Sequence, residues 1–227
     1  MLIRALRSIV LLVALGACVP TIAHGPVVEP GASTGASLSL PYVSDNSGYL
    51  HQPFAVGPFG LNAAYAWRDS ESGPALRVGA AWNVFPPRFE PDVYVELPRA
   101  IADGMDAGLG IAGGTILSPA ALPYAQLGRI RRGSGPYVTA GYLHEIGRDS
   151  LPSRADSYHD NGWLATLAYQ QASGAVVRHY FVTGVLGQRV AHDCSMSGTA
   201  PQTVCADSRP WGVFAGVTLE RMRHRGP

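Results

Sequence analysis

Large apolar side chains occupy every second position in one stretch of this chain, and small or polar residues lie between them. The stretch reads Leu76, Arg77, Val78, Gly79, Ala80, Ala81, Trp82, Asn83 and Val84. Successive side chains of a β-strand point to opposite faces, so a period of two predicts a strand. One face of this strand is large and apolar, and the other is small or polar.

The same alternation recurs along the chain. The segments 61–67 and 211–220 repeat it closely. Further strands are predicted at 92–97, 106–112, 122–129, 137–144, 163–171 and 176–188, with a weaker candidate at 36–43. Clusters of Gly, Pro, Ser and Asp separate the strands, which favours antiparallel pairing of neighbours. The sequence therefore predicts an all-β protein, an antiparallel up-and-down β-barrel of about 8 to 10 strands that crosses a membrane.

The composition excludes several other classes of protein. Of the 227 residues, 47% are hydrophobic and only 15% are charged, which excludes a disordered chain. The 27 Gly and 18 Pro are too many for a helical bundle. All 17 basic residues are Arg, scattered along a chain of net charge +1, so no nucleic-acid partner is predicted.

The N-terminus has the pattern of a bacterial export signal. Arg4 and Arg7 precede an apolar run at 9–15, which is too short to span a bilayer as an anchor. Two cleavage sites compete. The favoured one is a lipobox ending at Cys18, whose thiol would be acylated; the other follows Ala23 and is an ordinary secretory site.

The predicted organisation follows from these features. Residues 1–17 are the export signal peptide, 18–35 an N-terminal linker, 36–221 the β-barrel domain and 222–227 a basic C-terminal tail. Either cleavage removes Cys18 from the pool of free thiols, by acylation or with the signal peptide, and leaves Cys194 and Cys205, which predict a disulfide in an exported protein. Metal binding by Cys194 with His192 and Asp193 is the weaker alternative, because no second ligand cluster accompanies them. We predict no metal and no cofactor.

The lengths of the connections also alternate. The long linkers 44–58, 145–161 and 189–210 fall at one end of alternating strands, and the short turns 69–74 and 130–135 fall at the other, with both termini. Transmembrane barrels show this asymmetry. From residue 36 to 221 the chain resembles the small bacterial outer-membrane β-barrel proteins in its alternating strands, its Gly-rich face and its loop lengths. No diagnostic motif accompanies the resemblance.

The resemblance implies an outer-membrane location, contact with outer-membrane lipid, and an extracellular or envelope partner for the loops 145–161 and 189–210. The small or polar face would then line a lumen too narrow to conduct, in which Arg77, Glu96 and Glu220 pair. Aromatic residues near strand ends would form interfacial girdles. These are Trp67, Trp82, Phe85, Trp163, Tyr169, Tyr180 and Trp211.

Two other functions remain open. A periplasmic, lipid-anchored β-barrel or sandwich would turn its apolar face inward and bind an apolar ligand. A lipid-modifying acyl hydrolase at the barrel rim would need a base, a hydroxyl and an acid. The candidates for it are His144, Glu145, Asp156, Ser157, His159 and Asp160, whose spacing matches no motif and is typical of a solvated loop. The lone strand residue His179 is interpreted as structural. The predicted function is non-enzymatic, an envelope-structural or surface-interaction role.

Overall fold

The structure is a computed structural model, and it describes residues 22, 24–44, 59–70, 73–83, 88–98, 104–114, 120–145, 157–192 and 211–223. These residues form ten strands. The strands are β1 (Gly31–Ser44), β2 (Phe59–Arg68), β3 (Ala75–Asn83), β4 (Arg88–Glu96), β5 (Asp106–Gly114), β6 (Ala120–Gly128), β7 (Gly135–Glu145), β8 (Ser157–Ser173), β9 (Val176–His192) and β10 (Trp211–Arg223). Within these ranges no helix has the length and apolar character needed to cross a membrane.

The strands form one closed antiparallel barrel. Each strand pairs with its neighbour in the chain, and β1 closes the circle by pairing with β10. This confirms the predicted all-β, up-and-down barrel. The weaker candidate at 36–43 lies inside β1 and pairs on both sides, with Leu38 opposite Phe59 of β2 and Val217 of β10.

The barrel has two distinct ends. Short connections such as 69–74, 129–134 and 174–175 lie at one end, called the turn end here. The linkers 45–58, 146–156 and 193–210 begin and finish at the opposite, loop end. Ala32 pairs with Arg223, so the start of β1 and the end of β10 both lie at the turn end. The predicted grouping of long linkers opposite both termini is confirmed.

Several strands are longer than the periodicity predicts. β1 begins at Gly31, five residues before the expected boundary of the barrel at 36. β4 begins at Arg88, four residues before the predicted start at 92. In the barrel, Pro91 lies opposite Ala80 within the β3–β4 pair.

The two faces of the wall are inverted relative to a water-soluble barrel. The large apolar side chains point outward and are exposed, with Trp163 and Leu167 at 65%. Exposed aliphatic residues cover the outside of the wall on all ten strands: Leu38, Leu61, Val78, Val93, Leu109, Ile111, Leu127, Val138, Leu167, Val182, Leu186 and Val213. We call these residues the outer belt.

Exposed aromatic side chains lie toward both ends of the wall. Tyr65, Trp67, Tyr169 and Tyr180 lie toward the turn end, and Tyr169 is directly opposite Tyr180. Phe59, Trp82, Phe89 and Trp163 lie toward the loop end. There, Trp82 is opposite Phe89, and the Trp163 ring meets that of Tyr142 edge to face with centroids 4.9 Å apart. Of the other aromatics expected in girdles, Phe85 and the side chain of Trp211 lie outside the described part.

Candidate functional site

The lumen is filled by buried polar side chains and by the chain's own N-terminal segment, residues 24–30. The inward face of the wall supplies the polar groups: Ser33, Ser37, Asn62, Arg77, Asp92, Glu96, Gln126, Thr139, Gln170, His179, Thr183, Thr218 and Glu220. Their positions follow from the period of two, because the residues between them are the exposed apolar ones.

Glycines on the inward face make room for two large lumen side chains. A Cβ at Gly108 would lie 2.2 Å from the Tyr94 hydroxyl, and one at Gly110 would lie 2.3 Å from Cζ of Tyr124. The Tyr94 and Tyr124 rings stack with centroids 6.0 Å apart. The expected Gly-rich face therefore accommodates tyrosine rings within the barrel, and those rings help to fill it.

The N-terminal segment enters at the turn end and reaches the middle of the barrel. Near the turn end, the Val28 amide donates to Oε2 of Glu96 at 2.8 Å. Farther in, the Tyr94 hydroxyl donates to the Pro26 carbonyl at 3.1 Å, and Nε2 of Gln126 donates to the His24 carbonyl at 2.9 Å. Asp92, next to His24, is the middle residue of β4, so the segment ends about halfway along the wall.

The His24 ring is the deepest anchor of this segment. Its Nε2 lies 3.1 Å from Oδ2 of Asp92 and 2.9 Å from the Tyr124 hydroxyl, while Nδ1 lies 2.8 Å from the Gly25 carbonyl oxygen. The Tyr124 hydroxyl donates its own proton to Oδ1 of Asp92 at 2.6 Å. The ring is 3% exposed. Such a closed set of contacts holds a peptide in place and leaves no exposed nucleophile or base.

Arg77 links the segment to the seam of the barrel. Its Nη1 lies 2.9 Å from Oδ2 of Asp92, and its Nη2 lies 3.5 Å from Oε1 of Glu220. Glu220 also accepts the Ser33 hydroxyl at 2.5 Å and lies 3.8 Å from Nε2 of His179, which is too long for a hydrogen bond. Because these charges are buried, each depends on its partners to offset the cost of desolvation.

The predicted pairing of lumen charges is confirmed for two of the three residues. Arg77 and Glu220 pair as expected. Glu96 instead pairs with Arg68, with Nη2 2.5 Å from Oε2, and the same Arg68 nitrogen donates to the Val28 carbonyl at 3.1 Å. Glu96 lies at the turn-end limit of β4, beside the entering segment, whereas Arg77 lies deeper.

Apolar side chains also fill part of the interior. Toward the loop end, buried Leu122, Leu143, Leu164, Val185 and Phe214 belong to one cluster with Val28, and Ile22 packs against it. The buried Asn83 amide donates to Glu90 at 2.7 Å at the same end. At the turn end, Val27 packs against Ile130, Tyr137 and Ala168.

Of the six hydrolase candidates, only His144 has a described side chain. His144 is exposed near the loop end of β7, opposite Asn161. The backbones of Ser157, His159 and Asp160 belong to the first residues of β8, opposite 189–192 of β9. Their side chains, Glu145's side chain and all of Asp156 lie outside the described residues, as do Cys18, Cys194 and Cys205. Among described side chains, no group of three or more His, Cys, Asp or Glu is arranged to hold a metal ion.

His24 and the lumen contacts of residues 24–30 were not anticipated from the sequence. The segment was assigned to a linker, because no periodicity marks it and its partners lie up to 102 positions away. The sequence offered one signal for it, the charged and amide residues on the inward face. In a narrow barrel such groups need partners inside the lumen. His179 lies in that set; its Nδ1 is 3.2 Å from the Tyr137 hydroxyl.

Comparisons with known proteins add no family to this description. No protein-family model matches the chain, and no curated protein matches it.

Proposed function

We propose that this protein is an outer-membrane β-barrel that is closed by its own N-terminal segment and acts without enzymatic chemistry, as an envelope-structural or surface-contact protein. The observation that supports it most is the outer belt, a set of exposed aliphatic side chains on all ten strands, with exposed aromatic side chains toward both ends of the wall. Water-soluble monomers rarely expose apolar patches of more than a few hundred Å², whereas lipid-facing barrel walls require them.

The dimensions of the wall agree with this proposal. A tilted transmembrane strand needs about 9 to 11 residues. The shortest strands, β3 to β6, have 9 residues each, and β8 and β9 have 17. Trp, Tyr and Phe toward both ends of the wall match the headgroup level, where their amphipathic rings are favoured.

A periplasmic binding domain requires the opposite arrangement. It would place the apolar face inside, around an apolar ligand, and would present charged side chains to water. In the described strands the inward face carries Arg, Asp, Glu, Gln and His, and its space is occupied by residues 24–30. The contents of the lumen therefore favour a closed wall in lipid over a ligand cup.

The surface role rests on the grouping of long connections at the loop end. If the turn end faces the periplasm, the linkers 45–58, 146–156 and 193–210 all reach the outside of the cell. Because the lumen holds an ion-paired network and a peptide, we expect no ion conduction. Contact through the loops is then the remaining way for the barrel to interact with its surroundings.

The proposal is tested by fractionation and by gel mobility. The chain is expressed with its export signal in a Gram-negative host, and membranes are separated by density. We expect it in the outer-membrane fraction, with a band that migrates differently before and after heating in detergent. Recovery in the soluble periplasmic fraction, or a single band unaffected by heating, would overturn the proposal.

Protease treatment of intact cells tests the orientation. We expect cleavage within 146–156 or 193–210, with the rest of the barrel retained in the membrane. Cleavage only after the outer membrane has been permeabilised would place the loop end in the periplasm and remove the surface role.

A further inference from the structure

The sequence leaves two processing sites open, and the path of the N-terminal segment distinguishes them. We propose that the export signal is removed after Ala23, that His24 is the mature N-terminus, and that its new α-ammonium group lies inside the barrel. The inference rests on the proposed outer-membrane location. In the processing step, a signal peptidase hydrolyses the Ala23–His24 peptide bond with one water molecule, leaving a carboxylate on Ala23 and an amine on His24.

The first argument is the direction of the chain. Four successive anchors hold the segment at increasing depth, from Val28 on Glu96 to His24 on Asp92. Before His24 the chain does not turn back, because Ile22 packs against the apolar cluster that includes Leu122 and Leu143 toward the loop end. An acyl chain on Cys18 must instead reach the membrane leaflet at the turn end, on the outside of the wall.

The second argument is reach. His24 is six positions after Cys18, and six residues span at most about 21 Å when fully extended. From Asp92 to the turn end the descent is about 10 Å, and a wall of ten tilted strands has a radius of about 10 Å. A chain that returned to the turn end and then crossed the wall's radius to lipid would cover about 20 Å, which is nearly the whole reach of six residues.

The segment also packs closely against one side of the wall. A Cβ on Gly25 would lie 2.3 Å from Oε1 of Gln170 on β8, and one on Gly128 of β6 would lie 3.0 Å from Cγ of Pro26. A returning chain therefore has no space between the segment and the wall at β6 and β8.

The third argument is a pair of unpartnered amide oxygens beside the segment. The nearby carboxylates of Asp92, Glu96 and Glu220 each have a cationic or imidazole partner in Arg77, Arg68, His24 or His179. Next to the segment, Oε1 of Gln126 and Oε1 of Gln170 are buried without a partner among the described residues. These side chains are 2% and 5% exposed.

A free N-terminus can donate to these amide oxygens better than a peptide bond can. A backbone amide at His24 has one N–H and no charge, whereas an α-ammonium group has three N–H donors and a positive charge. Placing a cation among buried carboxylates and amide oxygens reduces their desolvation cost. Thr21 and Ala23 also supply the small residues that a signal peptidase requires before the cut.

The composition provides a selective test. The chain has no Lys, so an amine-reactive reagent has one target, the α-amine of the mature N-terminus. The full chain is expressed with its signal, purified from outer membranes in mild detergent, and its intact mass is measured. We expect a chain beginning at His24. We also expect labelling in the folded barrel to be at least about tenfold slower than after heat unfolding, because the amine is reached only when the segment opens.

Variants separate the two processing routes. Cys18→Ser is expected to leave both the mature mass and the membrane fraction unchanged, while Ala23→Arg should accumulate precursor. A mass that begins at an acylated Cys18, or an α-amine at His24 that reacts equally fast in folded and unfolded protein, would overturn the inference. Either result, obtained on heat-modifiable protein from the outer membrane, leaves the proposed function standing; soluble protein would instead refute that function.

Discussion

The Ser33 hydroxyl donates a 2.5 Å hydrogen bond to Glu220 across the seam between the first and last strands, although 187 positions separate the two residues. Glu220 is at the same time the outer end of the ion-pair chain that runs through Arg77 to Asp92 and His24. Closure of the wall and retention of the N-terminal segment therefore share one buried network.

This relationship predicts unequal effects of substitutions at the seam. Glu220→Gln keeps the shape of the side chain but removes a buried charge that faces Arg77, so we expect the free energy of unfolding to fall by about 2 to 3 kcal/mol. Ser33→Ala removes only a neutral donor and should cost about 1 kcal/mol. Urea unfolding of the barrel folded into lipid vesicles measures both. A larger loss for Ser33→Ala than for Glu220→Gln would contradict the larger contribution assigned to the Glu220 charge.

A second prediction concerns the hold of Asp92 on the N-terminal segment. Asp92→Asn removes the charge that attracts the Arg77 guanidinium and weakens the acceptor for His24 and Tyr124. We expect the amide of Val28 to exchange hydrogen about tenfold faster, which corresponds to about 1.4 kcal/mol less cost of opening. Hydrogen exchange with mass spectrometry reports this.

The matched control for Asp92 lies in the same lumen. Thr183→Val removes a side-chain hydrogen bond, the 2.7 Å contact with Thr166, that does not involve residues 24–30. Exchange in the segment should stay unchanged in this variant. Equal acceleration in both variants would show that the barrel loosens as a whole and that Asp92 has no specific role.

Gly110 and Tyr124 are predicted to be strongly coupled. A methyl group at Gly110 would overlap the Tyr124 ring, the source of all three of its nearest contacts, at 2.3 to 2.7 Å. We expect Gly110→Ala to cost about 1 to 3 kcal/mol. Most of that penalty should disappear when Tyr124→Ala is already present, in a double-mutant cycle of unfolding free energies.

Gly184→Ala serves as the control for that cycle, because a Cβ there meets nothing within 4 Å. We expect its effect to be within about 0.5 kcal/mol of zero. A penalty at Gly184 equal to that at Gly110 would attribute both losses to the strand backbone and remove the packing explanation.

The outer belt predicts that the cost of a charge depends on depth. Val182→Arg places a guanidinium in the middle of the belt and should destabilise the barrel in vesicles by about 2 to 4 kcal/mol. Gln171→Arg places the same charge on exposed wall two residues before β8 ends at Ser173, where we expect about 0 to 1 kcal/mol. Equal costs at both positions would contradict a lipid-facing belt.

Alternation alone identified the strands, because their side chains obey a local rule. Each of the ten predicted segments overlaps a strand of the barrel, and the residues expected to share a face do share it, as Arg77, Ala81 and Asn83 show on β3. Parity also placed the long connections together, since each turn reverses the chain. The ends of β4 and β8 were misplaced because Pro91 and the polar start of β8 interrupt the pattern.

By itself, then, the sequence determined the class of fold, the strands and the two chemical faces, since all of these follow from neighbours along the chain. The tertiary structure decided which face looks outward and what fills the interior. The grip of Asp92, Tyr124 and Gln126 on His24 joins residues 68 to 102 positions apart, and no local pattern records such contacts. These contacts form only when the wall has closed, because its buried charges then need partners within the lumen.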